Sequence, residues 1–370
     1  MKTRGTFATL IALAMLLAAC GGAGTPAPDG SGAASSCFPV RGKCPDEATS
    51  LDGAGATFPA VIYSKWIEEY GNVTSVQINY QSIGSGGGIK SITDKTVDFG
   101  ATDGPMNDEQ LAAAKAPILH IPTVMGAVVP TYNLAGVTQT LKFTPDALAG
   151  IFLGEIKKWN DPKIASANPG VTLPANDITV VHRSDGSGTT YIWVDYLSKV
   201  SKAWETGVGR GTSVKWPVGV GGKGNEGVAG AVKQTPNSIG YVELIYAIQQ
   251  KLPAGQVQNA KGAFVEATLD SVSKAAEGVT IADDLRASIT NSENAAAYPV
   301  SGFTWLLVYQ DMSDAKKALG VTRFLWWALH DGQQFAKDLG YAPLPKDVVT
   351  KGEAKIKSVT SGGKPALPVE

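Results

Sequence analysis

The chain has little charge, few histidines and few cysteines for its 370 residues. Charged residues make up 18% and the net charge is −1, so the sequence offers no large field for binding nucleic acid or an anionic membrane surface. The three histidines lie far apart and have no cysteine partners, which argues against a His/Cys metal site. Beyond the N-terminus, no uninterrupted apolar run reaches the length of a membrane helix.

The N-terminus has the features of a secretory signal. Lys2 and Arg4 precede a short apolar run at 10–17, which is too short to span a membrane as a stable helix. The letters "LAAC" ending at Cys20 fit the bacterial lipobox pattern. We therefore expect residues 1–20 to be a lipoprotein signal peptide and Cys20 to carry lipid. The alternative is an ordinary signal in which this cysteine stands by chance.

Residues 21–50 are expected to form a flexible tether, because their first part is Gly, Pro, Ala and Ser with almost nothing to bury. Cys37 and Cys44 follow with six residues between them. An exported chain meets an oxidising environment, which favours a small disulfide loop over two free thiols. Cys20 then accounts for the third cysteine.

From about Asp52 onward, about 320 residues remain, and this length favours two domains. Short β-rich runs alternate with helical patterns such as "VTRFLWWALH", whose apolar residues share one helix face. The alternation predicts an α/β architecture with mainly parallel, buried sheets. The strand-like runs are "VQINY" from Val76, "ITVVHR" from Ile178, "IGYVEL" from Ile239 and "FTWLLVYQ" from Phe303.

Several loops place polar or glycine residues at expected helix starts. The backbone N–H groups there have no partner, the helix dipole is positive, and glycines let the backbone approach closely. Hydroxyl groups add donors without adding charge, and Arg183 adds a planar fork that Asp185 can orient. Together these features predict an anion site. Its candidate residues are Thr57, Phe58, Ser85, Asp103, Arg183, Asp185, Ser187, Gly188 and Thr189.

The residues do not support either of two nucleotide-binding motifs. A P-loop ending at Lys90 would start at Gly84, but Ile89 stands where its second glycine must be. A G-x-G-x-x-G pattern occurs in "GVGGKG", but we expect no clear helix after it and treat it as no more than a loop near the site.

A serine-hydrolase site is disfavoured as well. His182, Asp185 and Ser187 lie within six residues, but side chains alternate along a strand, so His182 points away if Arg183 points into the site. The serine is not in a G-x-S-x-G sequence, and a triad needs its base and nucleophile in mutual reach.

Six motifs of the chain follow one another in a recognisable order. They are "GAGATFPA", "YQSIGSGGGIK", "TVDFGATD", "GEIKKWNDPKIA", "HRSDGSGTT" and "VKWPVGVGGKGNEGVAG". In the same order, they resemble motifs of the phosphate-binding protein of the phosphate ABC importer, the PstS family. The resemblance runs from about Leu51 to Val348. It implies a two-lobe, type II-like periplasmic-binding-protein fold, with lobe I at 51–126 and 301–370, lobe II at 127–300, and a hinge of two crossing strands.

The resemblance implies high-affinity binding of inorganic phosphate and delivery to an ABC permease with its ATPase. We then expect no enzyme activity, no cofactor or metal and no nucleic-acid partner. We also expect a lipid-anchored monomer at the outer face of the cell membrane, periplasmic or extracytoplasmic. The rivals are an enzyme of phosphate esters and a surface lipoprotein that binds phosphate without transport. The phosphate contacts fall on Thr57, Phe58, Ser85, Asp103, Arg183, Ser187, Gly188 and Thr189.

Asp103 is the expected source of selectivity. A carboxylate beside an anion is repulsive unless a proton lies between them; phosphate can supply that proton and sulfate cannot. A site built to pair a ligand hydroxyl rejects the analogue that lacks it by roughly 10⁴–10⁵. Arsenate has the same protons and shape, so we expect no strong rejection of it. The alternative role for Asp103 is that of a helix cap.

Overall fold

The computed structural model describes residues 37–368, so the predicted signal peptide, Cys20 and the first part of the tether lie outside the described residues. The strands are β1 Ser50–Gly55, β2 Gln77–Ser82, β3 Phe99–Thr102, β4 Ile118–Asn133, β5 Lys142–Phe143, β6 Thr179–Arg183, β7 Val220–Gly222, β8 Ser238–Glu243, β9 Gln256–Gln258, β10 Phe264–Val265, β11 Ser301–Tyr309, β12 Thr360–Ser361 and β13 Lys364–Pro365.

The helices are α1 Ala60–Thr74, α2 Ser85–Asp94, α3 Asp108–Ala113, α4 Pro145–Leu153, α5 Pro162–Ala165, α6 Gly188–Val200, α7 Lys202–Gly207, α8 Gly224–Gln234, α9 Leu244–Gln250, α10 Leu269–Ala276, α11 Ala315–Leu329 and α12 Lys346–Lys357. Short 3₁₀ turns span Asp331–Phe335 and Lys337–Leu339. Among residues 37–368, no helix combines the length and the apolar character that crossing a membrane requires.

One eight-stranded sheet organises the fold, in the order β2-β1-β3-β11-β4-β8-β6-β7. Strands β2, β1 and β3 are parallel, and so are β8, β6 and β7. We call these the first and the second triplet. At the centre, β11 and β4 pair antiparallel with each other and with their outer neighbours. The prediction of parallel strands therefore holds within each triplet and fails between them, because β4 and β11 cross there directly instead of returning through a helix.

Strand β4 changes its pairing partner part-way along its length. Its residues up to Ala127 pair with β11, and those from Val128 onward pair with β8. The change of partner falls beside residue 126, where lobe I was expected to give way to lobe II. The lobe boundaries themselves stay a prediction. Almost every residue of β4, and all of β11, are buried, so these two strands form the centre of the hydrophobic core.

The folded body begins before the expected end of the tether. A disulfide joins Cys37 and Cys44, as predicted. The guanidinium of Arg323 on α11 donates to the carbonyl oxygens of Cys37 and Gly42 and forms a 3.0 Å ion pair with Glu47. Arg323 and Glu47 are both almost fully buried. Residues from Cys37 onward are therefore part of the folded body. The last part of the expected tether, residues 37–50, is packed against that body.

Candidate functional site

The candidate residues lie where strands of both triplets end and helices begin. Thr57 and Phe58 connect β1 to α1, and Ser85 is the first residue of α2. Asp103 follows β3 directly, and Arg183 is the last residue of β6. The carboxyl ends of the parallel strands in each triplet meet at one edge, so the fold brings the positive ends of these helices together. All the candidate residues are buried except Asp185, which is partly exposed.

A three-residue contact joins the two triplets. The hydroxyl oxygen of Ser85 accepts the backbone N–H of Gly188 at 2.9 Å and that of Asp103 at 3.2 Å. Gly188 lies so close to Asp103 that a Cβ atom on it would come within 2.5 Å of the Asp103 backbone nitrogen. A side chain at position 188 would therefore force the backbones apart.

Arg183 is the buried cation of the site. Its Nε and Nη2 donate to the two carboxylate oxygens of Asp185 at 2.8 and 2.5 Å, and Nη1 faces the Thr189 hydroxyl at 3.5 Å. The backbone N–H of Gly224 adds a bond to the same carboxylate at 3.0 Å. Burial alone would raise the pKa of the Asp185 carboxyl, but the bonds and charge of Arg183, with the Gly224 N–H, hold it below the ordinary value. Asp185 is therefore ionised and fixes one edge of the guanidinium.

Asp103 has a carboxyl that can change protonation near neutral pH. Burial raises its pKa to about 7, against smaller opposing effects of the Thr304 hydrogen bond, the Arg183 charge and the Ser85 hydroxyl. Thr304 on β11 donates its hydroxyl to Oδ1 at 2.8 Å. Arg183 is matched by Asp185, and Asp103 is partly ionised near pH 7, so the side chains leave the site with no net positive charge. The site can therefore attract an anion chiefly through N–H and O–H dipoles.

Two buried residues of the site escaped the sequence analysis. Asn225 on α8 donates from its amide nitrogen to the hydroxyls of Thr57 at 2.8 Å and Thr189 at 2.9 Å. Glu243 at the end of β8 is fully buried, which raises the pKa of its carboxyl well above the ordinary value. Asn225 lies inside one of the six motifs, and this position was the only indication in the sequence that it belongs to the site. For Glu243 the sequence carried none.

The glycine pattern before Asn225 was interpreted wrongly in one respect. Helix α8 begins at Gly224, directly after β7, whereas no clear helix was expected there. The N–H groups at this helix start are used within the protein, by Asp185 for Gly224 and by the Thr57 hydroxyl for Asn225. They are not directed outward as a dinucleotide site would need.

The rejected alternatives can be compared with the geometry. Lys90 lies on the surface of α2 and pairs with Asp94 at 2.5 Å, away from the site. The His182 ring stacks on Trp216 at 4.9 Å, and the Ser187 hydroxyl oxygen accepts the N–H of the third residue of α6. Within residues 37–368, no hydrogen bond links His182 to Ser187, and no group of three or more His, Cys, Asp or Glu residues is arranged to hold a metal ion.

Comparison with known proteins agrees with this architecture. The family model described as a PBP superfamily domain matches residues 42–331. A phosphate-binding protein PstS of Pasteurella multocida is 46% identical over 315 residues, which cover 84% of this chain and 91% of that protein. The chain belongs to the PstS family of the PBP superfamily. A PstS protein of Methanocaldococcus jannaschii is 40% identical over 326 residues, covering 80% of this chain and 83% of that one.

Solved structures support the fold of the family. A high-affinity periplasmic phosphate-binding protein, solved with phosphate at subatomic resolution, superposes with a TM-score of 0.66. It covers 82% of this chain and 93% of its own, at 22% identity. The α/β class and the two-lobe periplasmic-binding-protein fold expected from the sequence are therefore confirmed. The relatives are named as binding proteins.

Proposed function

We propose that this chain binds inorganic phosphate at the candidate site and delivers it to an ABC-type import permease. The observation that carries the proposal is the buried set of hydroxyl and N–H donors at helix starts of both triplets, gathered around Arg183 and one titratable carboxyl, Asp103. Family membership and the names of the relatives support the same ligand.

The proposed contacts use different parts of the site. Thr57, Ser85, Ser187 and Thr189 supply hydroxyls, and Phe58 and Gly188 supply backbone N–H groups. Arg183 supplies the cation, with its planar fork oriented by Asp185. Binding would draw the Gly188 N–H from the Ser85 hydroxyl, its partner in the present structure, to the anion.

Asp103 shares one proton with the bound phosphate. A pKa of about 7 lets the carboxyl accept a hydrogen bond when ionised or donate one when neutral. Sulfate can bind only beside the neutral form, because it has no proton to give. Arsenate carries the same protons as phosphate, so Asp103 does not exclude it.

The remaining parts of the proposal concern location. The chain is exported, is anchored by lipid on Cys20 at the outer face of the membrane, and acts as a monomer without enzyme activity. Mass spectrometry of the N-terminal peptide tests the lipid, and turnover of p-nitrophenyl phosphate tests for an enzyme.

Calorimetric titration of the purified chain with phosphate, sulfate and arsenate tests the binding. We expect tight phosphate binding, measurable arsenate binding and very weak sulfate binding at pH 8. Equal affinities for phosphate and sulfate would contradict the proposal. Restored phosphate uptake in a strain deleted for the gene separates transport from binding alone.

A further inference from the structure

The side chain of Asn225 connects the two triplets inside the candidate site. Its amide nitrogen donates to the Thr57 hydroxyl at 2.8 Å and to the Thr189 hydroxyl at 2.9 Å. Thr57 follows β1 of the first triplet, and Thr189 lies on α6 after β6 of the second. Asn225 is fully buried, so these bonds are shielded from water. One amide thus reaches one hydroxyl on each side of the site.

The direction of these hydrogen bonds is fixed by the other end of the amide. The Asn225 side-chain oxygen accepts the backbone N–H of Glu243 at 2.9 Å. If the amide were turned over, its NH₂ group would face that N–H, and two donors would meet without an acceptor. The NH₂ group must therefore face Thr57 and Thr189, and it can only donate to them.

Both threonine oxygens have their accepting capacity filled. Thr57 Oγ1 also accepts the backbone N–H of Asn225 at 3.3 Å, and Thr189 Oγ1 also faces Nη1 of Arg183 at 3.5 Å. A hydroxyl has two lone pairs and one hydrogen, so only the hydrogen remains. Among residues 37–368, neither hydroxyl donates a hydrogen bond. Each hydrogen is available for a ligand.

We propose that Asn225 is a positioning residue that makes the hydroxyls of Thr57 and Thr189 obligate donors to the bound anion. A free hydroxyl can donate or accept, but these two can only donate, so neither can accept the hydrogen bond of a phosphate P–OH group. The proton of a bound phosphate must then point to another acceptor, and the carboxylate of Asp103 supplies one. This inference rests on the proposed function and extends it, because Asn225 acts through the two hydroxyls without touching the ligand.

Asn225→Asp tests the inference with almost no change of shape. The second carboxylate oxygen would face both hydroxyls as an acceptor, and their hydrogens would turn toward it and away from phosphate. We expect the phosphate Kd to rise by about 100-fold or more, since hydrogen bonds to a charged ligand are lost on both sides. The matched control is Asn72→Asp, the same change at an exposed position of α1, which should keep the wild-type Kd. An unchanged Kd for Asn225→Asp would overturn the inference.

A double-mutant cycle of Asn225→Ala and Thr57→Val separates positioning from a merely structural role. If Asn225 acts through the Thr57 hydroxyl, removing the amide should cost at least about fivefold less in affinity once that hydroxyl is gone. Circular dichroism in the near ultraviolet checks that each variant is folded. Additive losses in the cycle would mean that the two residues act independently, which contradicts the proposal.

The outcomes also separate this inference from the proposed function. If the unaltered chain binds no phosphate, both are wrong. If it binds phosphate and the losses in the cycle add, only the role of Asn225 is wrong. Weaker binding in Asn225→Asp together with a less-than-additive cycle supports both.

Discussion

Replacing Asp103 with asparagine should strengthen the fold and weaken the function. Burial raises the pKa of this carboxyl from its ordinary value of 3.8 to about 7. Between these values the folded chain holds a proton that the unfolded chain releases, so the free energy of unfolding falls as the pH rises through this window. Each pH unit costs about 1.4 kcal/mol, which gives a loss on the order of 4 kcal/mol at pH 8. Asparagine does not titrate and escapes this loss.

The hydrogen bonds around Asp103 show how much of this gain in stability the substitution would lose again. The amide oxygen of the introduced asparagine can still accept from Thr304, which donates to Oδ1 of Asp103 at 2.8 Å in the wild type. The new NH₂ group would face the Ser85 oxygen, which already accepts two N–H groups, and an unpaired donor costs about 1–3 kcal/mol. We therefore expect Asp103→Asn to be more stable than wild type at pH 8 by a few kcal/mol, and to lose that advantage as the pH falls to about 5.

The assay is urea unfolding of the ligand-free chain, followed by tryptophan fluorescence, at pH 5 and pH 8 in phosphate-free buffer. The same change at the exposed Asp270 serves as the control and should leave the stability nearly constant. In parallel, calorimetry should show weaker discrimination between phosphate and sulfate for Asp103→Asn. If Asp103→Asn and the wild type differed by the same free energy of unfolding at pH 5 and pH 8, the raised pKa assigned to Asp103 would be refuted.

Further predictions concern the ligand, the packing and the N-terminal loop. Arg183→Ala should weaken phosphate binding by several kcal/mol in free energy, as removal of a buried charge-assisted partner does, and a near-wild-type Kd in calorimetry would contradict this. Gly188→Ala should weaken phosphate binding, because its Cβ would meet the Asp103 backbone at 2.5 Å; calorimetry checks it. Sulfate affinity of the wild type should rise about tenfold per unit as the pH falls from about 9 to 7 and then level off, since sulfate needs neutral Asp103. Arg323→Met should lower the free energy of unfolding by about 3–5 kcal/mol in urea, because it leaves the buried Glu47 carboxyl without its cation.

Much of the site could be predicted because its signals are local. Proline after Thr57–Phe58 and the glycines around Ser85 and Ser187 mark helix starts within a few residues of each contact. Arg183 and Asp185 are two positions apart at the end of one strand, so their pairing needs little tertiary information. Helix starts at the edge of a parallel sheet then converge for topological reasons.

The remainder depends on partners that are distant in the sequence. Asn225 looks like any polar residue in a first helical turn, and its partner Thr57 lies 168 positions earlier. Arg323 lies on α11, and its guanidinium is held by the distant loop from Cys37 to Gly42 and by Glu47. The same loop explains why the expected tether, residues 21–50, extends into the folded body. The local sequence of this loop cannot show that a distant guanidinium will hold it.

The path of the two long central strands also decides when the chain can fold. Strand β3 ends the first triplet, and its inner edge pairs with β11, which is made about 200 residues later. Until β11 leaves the ribosome, the buried residues Phe99 and Ala101 stand on an unpaired edge that invites contact with other chains. Meanwhile the second triplet, with β4 at its side, already has all its strands. The first part of the protein to be synthesised is therefore the last part to be completed.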